Sequence, residues 1–476
     1  MLVEEARSFL RKVSRSLRPD DDPRAPPFAP GHPVLGHSRI MQVNPLDHFT
    51  RWGVEYGDAV SMRLPGSRFV LVLHPDGVKH VLQSNAKAYS KRTRGYDKMR
   101  LFLGNGLVTS EGEFWRRQRR IAAPAFHRQR IEGFAETMTD STAAMLERWA
   151  GRAETGAALD VDREMMTLTM RIASETLLGE DLSGDADTVG EALSFLTLNT
   201  NARITRLVDL PLSIPTPENR RYLDAVATVE SVLVRLIAAR RANPGAHHDL
   251  LAMLLEAKDE ETGASMTDAQ LRDEALTIFA AGHETTSNAL AWTFLLLARH
   301  PAVAARLYAE VDSALGGRTP TLADLAALPF TKQVIQESMR LYPPAWIIGR
   351  RAEVDDTVCG YHIAAGTQVL VSPWATHRQP RWWDDPEAFD PDRFSAARSD
   401  GRPAFAYFPF GGGPRICIGN TFAMMEAQLI LAQVSQRYRL ELAPGARVEP
   451  ELGVTMRPSA LPMHLRPRRP VGVPSA

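Results

Sequence analysis

The stretch FPFGGGPRICIGNTFAMME, residues 408–426, places one of only two cysteines of a 476-residue chain between a glycine-rich turn and a helix. Gly411, Gly412 and Gly413 allow left-handed backbone angles and let a flat ligand approach closely. Pro414 stiffens the turn, and Arg415 offers fixed donors to an anion. From Gly419 or Asn420 to about Tyr438 the apolar residues Phe422, Met425, Leu429, Ala432 and Val434 roughly keep a helical period. Cys417 therefore sits beside unpaired N–H groups at the positive end of a helix, which favours thiolate over thiol. Read from these residues alone, Cys417 is either a ligand-facing thiolate or a buried inert cysteine in a loop.

With 44% hydrophobic residues the chain has ample material for a large core. The 56 basic and 56 acidic residues balance, so no global field points to nucleic acid or an anionic membrane. Two cysteines exclude a disulfide framework and any cysteine-rich zinc or iron–sulfur site. The N-terminal residues show neither a membrane-spanning run nor a secretory signal. Leu2, Val3, Ala6, Phe9, Leu10, Val13 and Leu17 outline a short amphipathic helix, for surface packing or peripheral membrane contact. The expected location is the cytoplasm, without a transmembrane anchor. The expected division is a terminal segment over 1–36, one catalytic domain over 37–466 and a flexible tail over 467–476.

Along the chain, a proline-rich strap over 19–37 leads to a helix at 45–57 and a hairpin of 60–64 with 69–73. Residues 86–110 read as a long loop with short helical pieces, and a helix at 113–126 carries Trp115 and Arg119 four apart on one face. Helices follow at about 130–151, 160–179, 189–203, 218–241 and 247–258. The segment 203–217 is more apolar than a free loop, as buried core or as a pocket roof. Thr267 and Gln270 form a capping box, and the helix they open runs to Pro301, more than 30 residues on. Its middle, AAGHETTSN, offers His283 and Glu284 but puts Ser287 where a zinc protease needs its second histidine. Gly282 there makes room close to the backbone. Glu284 beside Thr285 is a candidate proton relay; alternatively Thr285 bonds a carbonyl one turn back. Glu337 and Arg340 share a helix face, and Cys359 lies inert in a β pattern. The outcome is a mainly α chain with small β-sheets.

Phe410, Gly413, Arg415, Cys417 and Gly419 match the heme-binding loop of the cytochrome P450 family, which the chain resembles from residue 115 to residue 419 and in the order of its elements. The resemblance implies a cytochrome P450 fold, with the long central helix over the heme and the cysteine loop and helix on the proximal side. It implies heme b, with Cys417 as iron ligand, and assigns Trp115, Arg119, Arg350 and His377 to the propionates. Phe410, Arg415 and Gly419 shape the cofactor loop. Glu284 and Thr285 are the implied catalytic pair for dioxygen and its protons. Leu107, Ile278, Ala281, Gly282, Ala345, Ile347, Val454 and Thr455 are implied pocket residues, and Glu337, Arg340 and Arg393 a supporting network. Arg116, Arg117 and Arg120 offer a positive face to a redox partner. No dinucleotide fingerprint is present, so electrons from NAD(P)H need a ferredoxin or flavodoxin with its reductase. The implied activity is monooxygenation of a lipophilic small molecule of fatty acid, terpenoid or steroid type, by a monomer. A peroxygenase, an isomerase and a non-catalytic heme sensor are the alternatives. Arg94, Lys98 or Arg206 are possible anchors for a substrate carboxylate.

Overall fold

The computed structural model describes residues 22–33, 35–177, 179, 186–206, 208–242, 249–259 and 261–468. The expected N-terminal amphipathic helix and most of the tail lie outside these residues. In chain order the elements used below are α1 (Ser38–Val43), α2 (Pro45–Glu55), β1 (Ala59–Leu64), β2 (Ser67–Val72), β3 (Tyr89–Ser90), α3 (Arg94–Leu103) and α4 (Gly112–Ala122). Then come α5 (Ala135–Thr155), β4 (Leu159–Asp160), α6 (Val161–Leu177), α7 (Ala186–Thr205), α8 (Pro217–Ala242), α9 (Asp268–Arg299), α10 (Pro301–Leu315) and α11 (Pro329–Leu341). The rest is β5 (Ile348–Ala352), β6 (Asp356–Val358), β7 (Tyr361–Ile363), β8 (Gln368–Val371), α12 (Asn420–Arg437), β9 (Tyr438–Leu442), β10 (Pro450–Leu452), β11 (Met456–Pro458) and β12 (Pro462–Pro467).

The central helix α9 starts where its cap predicts. Thr267 Oγ1 accepts from the Gln270 N–H, and Gln270 Oε1 accepts from the Thr267 N–H at 2.8 Å. Every residue from Thr286 to Leu297 is buried, so this half has neighbours on every side. It packs against α6, α8, α11 and α12. A second, smaller core lies under a mixed sheet ordered β1-β2-β8-β5-β3, in which only the β2–β8 pair is parallel. Alternation puts Val70, Val72, Val369 and Val371 into that core. β4, β12 and β9 form another sheet, and β10–β11 is a short hairpin beside α9.

The region read as a loop over 86–110 contains the ten-residue helix α3. Thr93 caps it by accepting from the Tyr96 N–H, and Gly104 ends it with a φ of 62°. Charged residues hid its period, because those facing solvent and those facing a cavity are mixed. The turn after α3 is fastened to α9: Asn105 N–H donates to Asp273 Oδ2 at 2.7 Å and Leu107 N–H to Glu274 Oε2 at 2.9 Å. The apolar segment 203–217 is not buried core, since Val208, Leu210 and Ile214 are exposed, but its start, Ile204, Thr205 and Arg206, lines the larger cavity described below.

Candidate active site

Cys417 is set by its own loop. Its N–H donates to the Phe410 carbonyl at 3.0 Å, closing a turn that aims the sulfur at a cavity of about 310 Å³. Gly413 makes the turn possible: its φ is 63°, and a β-carbon there would fall 2.0 Å from the Leu82 carbonyl oxygen. Arg415 ties the loop to the start of α4, donating to the Ser110 carbonyl at 2.9 Å and to Glu111 Oε1 at 2.8 Å. Its guanidinium lies 3.7 Å from the centre of the Trp115 ring.

The sulfur of Cys417 is open to the cavity and otherwise enclosed by protein. Burial pushes the thiol up; the Gly419 N–H and the Arg119 charge pull it back only in part. The helix-start argument for a thiolate is thus outweighed by lost water, and a metal cation at the sulfur reverses that balance. Cys359, by contrast, is a half-buried thiol that burial pushes up to about 11.

The cavity is a slot. One wall is the Ala281, Gly282, Thr285 and Ala289 face of α9; the other is the cysteine loop with Phe422, Ala423 and Ala427 of α12. Gly282 lines the slot, but a β-carbon there would come 3.2 Å from Leu177, so its smallness serves packing against α6. At one end Lys91, Trp115, Arg119, Arg350 and Arg415 converge. Arg119 has no ion-pair partner among the described residues, and burial lowers its affinity for its proton. Burial brings Arg415 down to about 10. Lys91 is held well below the usual lysine range, first by burial and then by the charges of Arg350 and Arg415. Its Nζ donates to the Val108 carbonyl at 2.7 Å, and Arg350 donates to Tyr96 Oη at 3.2 Å. Buried cations in such excess call for an anion. A flat macrocycle with carboxylates on one edge and a thiolate-seeking metal at its centre fits this set: small residues on both faces, cations at one end, one thiol.

A second cavity of about 620 Å³ adjoins the slot; Tyr96, Ala281, Thr285 and Ala345 line both. Its walls include Met99, Phe102, Leu103, Trp346, Ile347, Leu370 and Val454. Among the pocket residues expected from the sequence, Leu107, Ile278 and Gly282 line the slot, Ile347, Val454 and Thr455 the larger cavity, and Ala281 and Ala345 both. Thr285 Oγ1 donates to the Ala281 carbonyl at 2.8 Å. Glu284 points to the larger cavity, where its Oε1 accepts from Thr455 Oγ1 at 2.7 Å and Thr197 Oγ1 at 3.2 Å. Burial raises its carboxyl above the usual range. His283 is packed on Phe279, its Nδ1 donating to the Phe279 carbonyl at 2.9 Å. Among the described residues no three His, Cys, Asp or Glu side chains group as a metal site.

Glu337, Arg340 and Arg393 meet as one buried network. Arg340 gives Glu337 two bonds, at 2.7 and 2.8 Å, and Arg393 Nε lies 3.3 Å from Glu337 Oε1. Arg340 also donates to the carbonyls of His377, Pro386 and Ala388. His377 belongs to this network and lines neither cavity, a correction to its expected place at a propionate. Its Nε2 accepts from the Phe408 N–H at 2.9 Å and its ring packs on Tyr407 and Phe408, behind the loop. The expected positive face is largely taken up: Arg120 pairs with Asp259 and Glu261, Arg116 with Glu113, and Arg117 donates to the Ser265 carbonyl. Sequence reasoning missed Lys91, Thr197 and Asn201 at the cavities. Only the i,i+4 spacing of Thr197 and Asn201 on an apolar helix could have signalled them.

The chain matches the cytochrome P450 family model over residues 26–464. It is 38% identical to cyclooctat-9-en-7-ol 5-monooxygenase of Streptomyces melanosporofaciens, covering 96% of this chain and 98% of that one. Cyclooctatin synthase of the same organism is 37% identical, over 92% and 95%. Pentalenene oxygenase of Streptomyces avermitilis is 34% identical, over 93% and 97%. The crystal structure of the cytochrome P450DA heme domain superposes with a TM-score of 0.85 at 28% identity, covering 94% of this chain and 98% of that one. No helix among the described residues is long and apolar enough to cross a membrane. The slot with its one cysteine and its cations fits a heme, and the chain belongs to the cytochrome P450 family as one of its monooxygenases.

Proposed function

We propose that this monooxygenase oxidises a cyclic terpenoid in the larger cavity, with heme b in the slot and electrons from NAD(P)H through a separate ferredoxin or flavodoxin system. The observation that carries the reading is the apolar cavity of about 620 Å³ opening onto the slot beside Thr285. Its aliphatic and aromatic walls select by shape and desolvation, which suits a rigid hydrocarbon skeleton. Two cations near it are paired, Lys98 with Asp209 and Arg206 with Glu218, while Arg94 donates to the carbonyls of Arg203 and Arg206. The named relatives include two whose titles specify a terpenoid substrate, cyclooctat-9-en-7-ol and pentalenene.

When bound, the heme iron supplies transfer of one atom of dioxygen into a C–H bond. Cys417 would hold it, and Arg119, Arg350 and Trp115 would receive its carboxylates. Thr285 holds a proton at Oγ1 on the slot wall, and Glu284, kept in place by Thr455 and Thr197, is the neighbouring proton reservoir. The apolar walls exclude water from both. Residues 37–466 act as one catalytic unit, as a monomer in the cytoplasm. The test supplies heme-loaded enzyme with NADPH, a ferredoxin, its reductase and isotopically heavy dioxygen, against cyclic terpenes, steroids and fatty acids. One heavy oxygen in a terpene product is the expected result; turnover confined to fatty acids or steroids overturns the reading.

A further inference from the structure

One stretch of the larger cavity's polar lining is bonded lopsidedly. Thr197 and Asn201 stand one helical turn apart on α7 and both line the cavity, as do Glu284 and Thr455. Thr455 Oγ1 donates to Glu284 Oε1 at 2.7 Å, and Asn288 Nδ2 donates to Thr455 Oγ1 at 3.1 Å. The one hydroxyl hydrogen of Thr197 is shared between Glu284 Oε1, at 3.2 Å, and the Ser194 carbonyl, at 3.1 Å. Glu284 Oε2 is left with no donor among the described residues. Asn201 Nδ2 donates to the Leu452 carbonyl at 2.6 Å. A carbonyl can only accept, so the amide is oriented, and Oδ1 is the oxygen left over. Glu284 Oε2, Asn201 Oδ1 and the second amide hydrogen of Asn201 therefore remain unmet beside the apolar walls.

Resting on the terpenoid reading, we infer that the substrate already carries a hydroxyl group, which seats against the Asn201 and Glu284 wall. A bare hydrocarbon would desolvate these oxygens and return nothing. A ketone or ether can accept from a protonated Glu284 but leaves Asn201 Oδ1 without a donor. A carboxylate likewise brings no hydrogen to Asn201 Oδ1 and sets a second acid against Glu284. A hydroxyl donates and accepts, so it satisfies both residues. It also satisfies either state of Glu284: burial favours the protonated acid, and because Oε1 takes the Thr455 hydrogen, the proton belongs on Oε2. The reaction that supplies this substrate must then leave an alcohol, by cyclisation ended with water capture or by an earlier hydroxylation.

The test is spectral titration of the ferric, heme-loaded enzyme with a matched set: one cyclic terpene hydrocarbon, its alcohol, the methyl ether and the ketone. The alcohol is expected to bind about tenfold tighter than the hydrocarbon and the ether, the scale of one or two satisfied buried hydrogen bonds. Asn201→Ala should weaken the alcohol and leave the hydrocarbon unchanged, the hydrocarbon serving as the control for folding. Glu284→Gln keeps an acceptor toward the threonines and turns an N–H to the cavity, so it should narrow the alcohol-to-ketone ratio. Equal binding of alcohol and hydrocarbon within twofold, or a ratio that neither variant moves, overturns the inference while the terpenoid reading stands. Absence of any response to all four compounds overturns both.

Discussion

Replacing Glu337 by glutamine tests how the cysteine loop is supported. Glu337 and Arg340 have fully buried side chains and Arg393 is only 4% exposed, so neither arginine can turn to water. The carboxylate takes two bonds from Arg340, one from the Asp390 N–H at 2.9 Å, and lies against Arg393. Glutamine keeps one acceptor and points an N–H at groups that are themselves donors. It forfeits about two charge-assisted bonds, at ~1.5–3 kcal/mol each, and leaves two buried cations without a counter-charge. The expected loss is ~3–5 kcal/mol, a large part of the ~5–15 kcal/mol typical of a folded domain. Urea unfolding followed by the heme band and by helical circular dichroism reads it. Because Arg340 also holds the His377 carbonyl, and His377 holds the Phe408 N–H, the heme band should be lost at lower urea than the helices. A loss under ~1 kcal/mol with both signals still coincident would refute the reasoning.

Gly413→Ala should abolish heme incorporation, because its β-carbon meets the Leu82 carbonyl at 2.0 Å; heme content per purified protein checks it. Glu426 on α12 is 1% exposed and is pushed by burial up to about 8, with only Thr286 pulling it back. An acid with a raised folded value favours the fold below its ordinary value near 4.5 and loses that favour as pH rises toward 8. Glu426→Gln should therefore leave stability unchanged at pH 4.5 and raise it at pH 8, by on the order of 1–3 kcal/mol, in paired denaturation curves. The dimethyl ester of the iron porphyrin should bind the apoprotein at least about tenfold more weakly than the free acid. Arg119→Met should shrink that difference, as competition between the two forms would show.

The cysteine loop, the capping box and the Glu337–Arg340 pair were legible because each is a local string whose chemistry depends on near neighbours. The third arm, Arg393, is distant in sequence and came from resemblance, as did the place of Trp115 and Arg119. His377 went astray for a physical reason: a histidine beside a cofactor and one behind the loop that cradles it look alike in sequence, and only the Phe408 N–H decides. Lys91 was invisible, since a lysine buried for its stem and one carbonyl bond is rare and carries no pattern. The helix α3 was hidden by its mixed surroundings, and its cap at Thr93 with Gly104 at the far end was the signal overlooked.

The hairpin β10–β11 and the turn between its strands let the two cavities be altered separately. Asn201, Glu284 and Trp346 are all held by residues 452–455, more than thirty residues beyond Cys417 and outside its loop. Substitutions in this turn should therefore reshape the substrate wall while the cysteine loop keeps its own bonds to Phe410, Ser110 and Glu111, so heme content stays constant as substrate affinity changes.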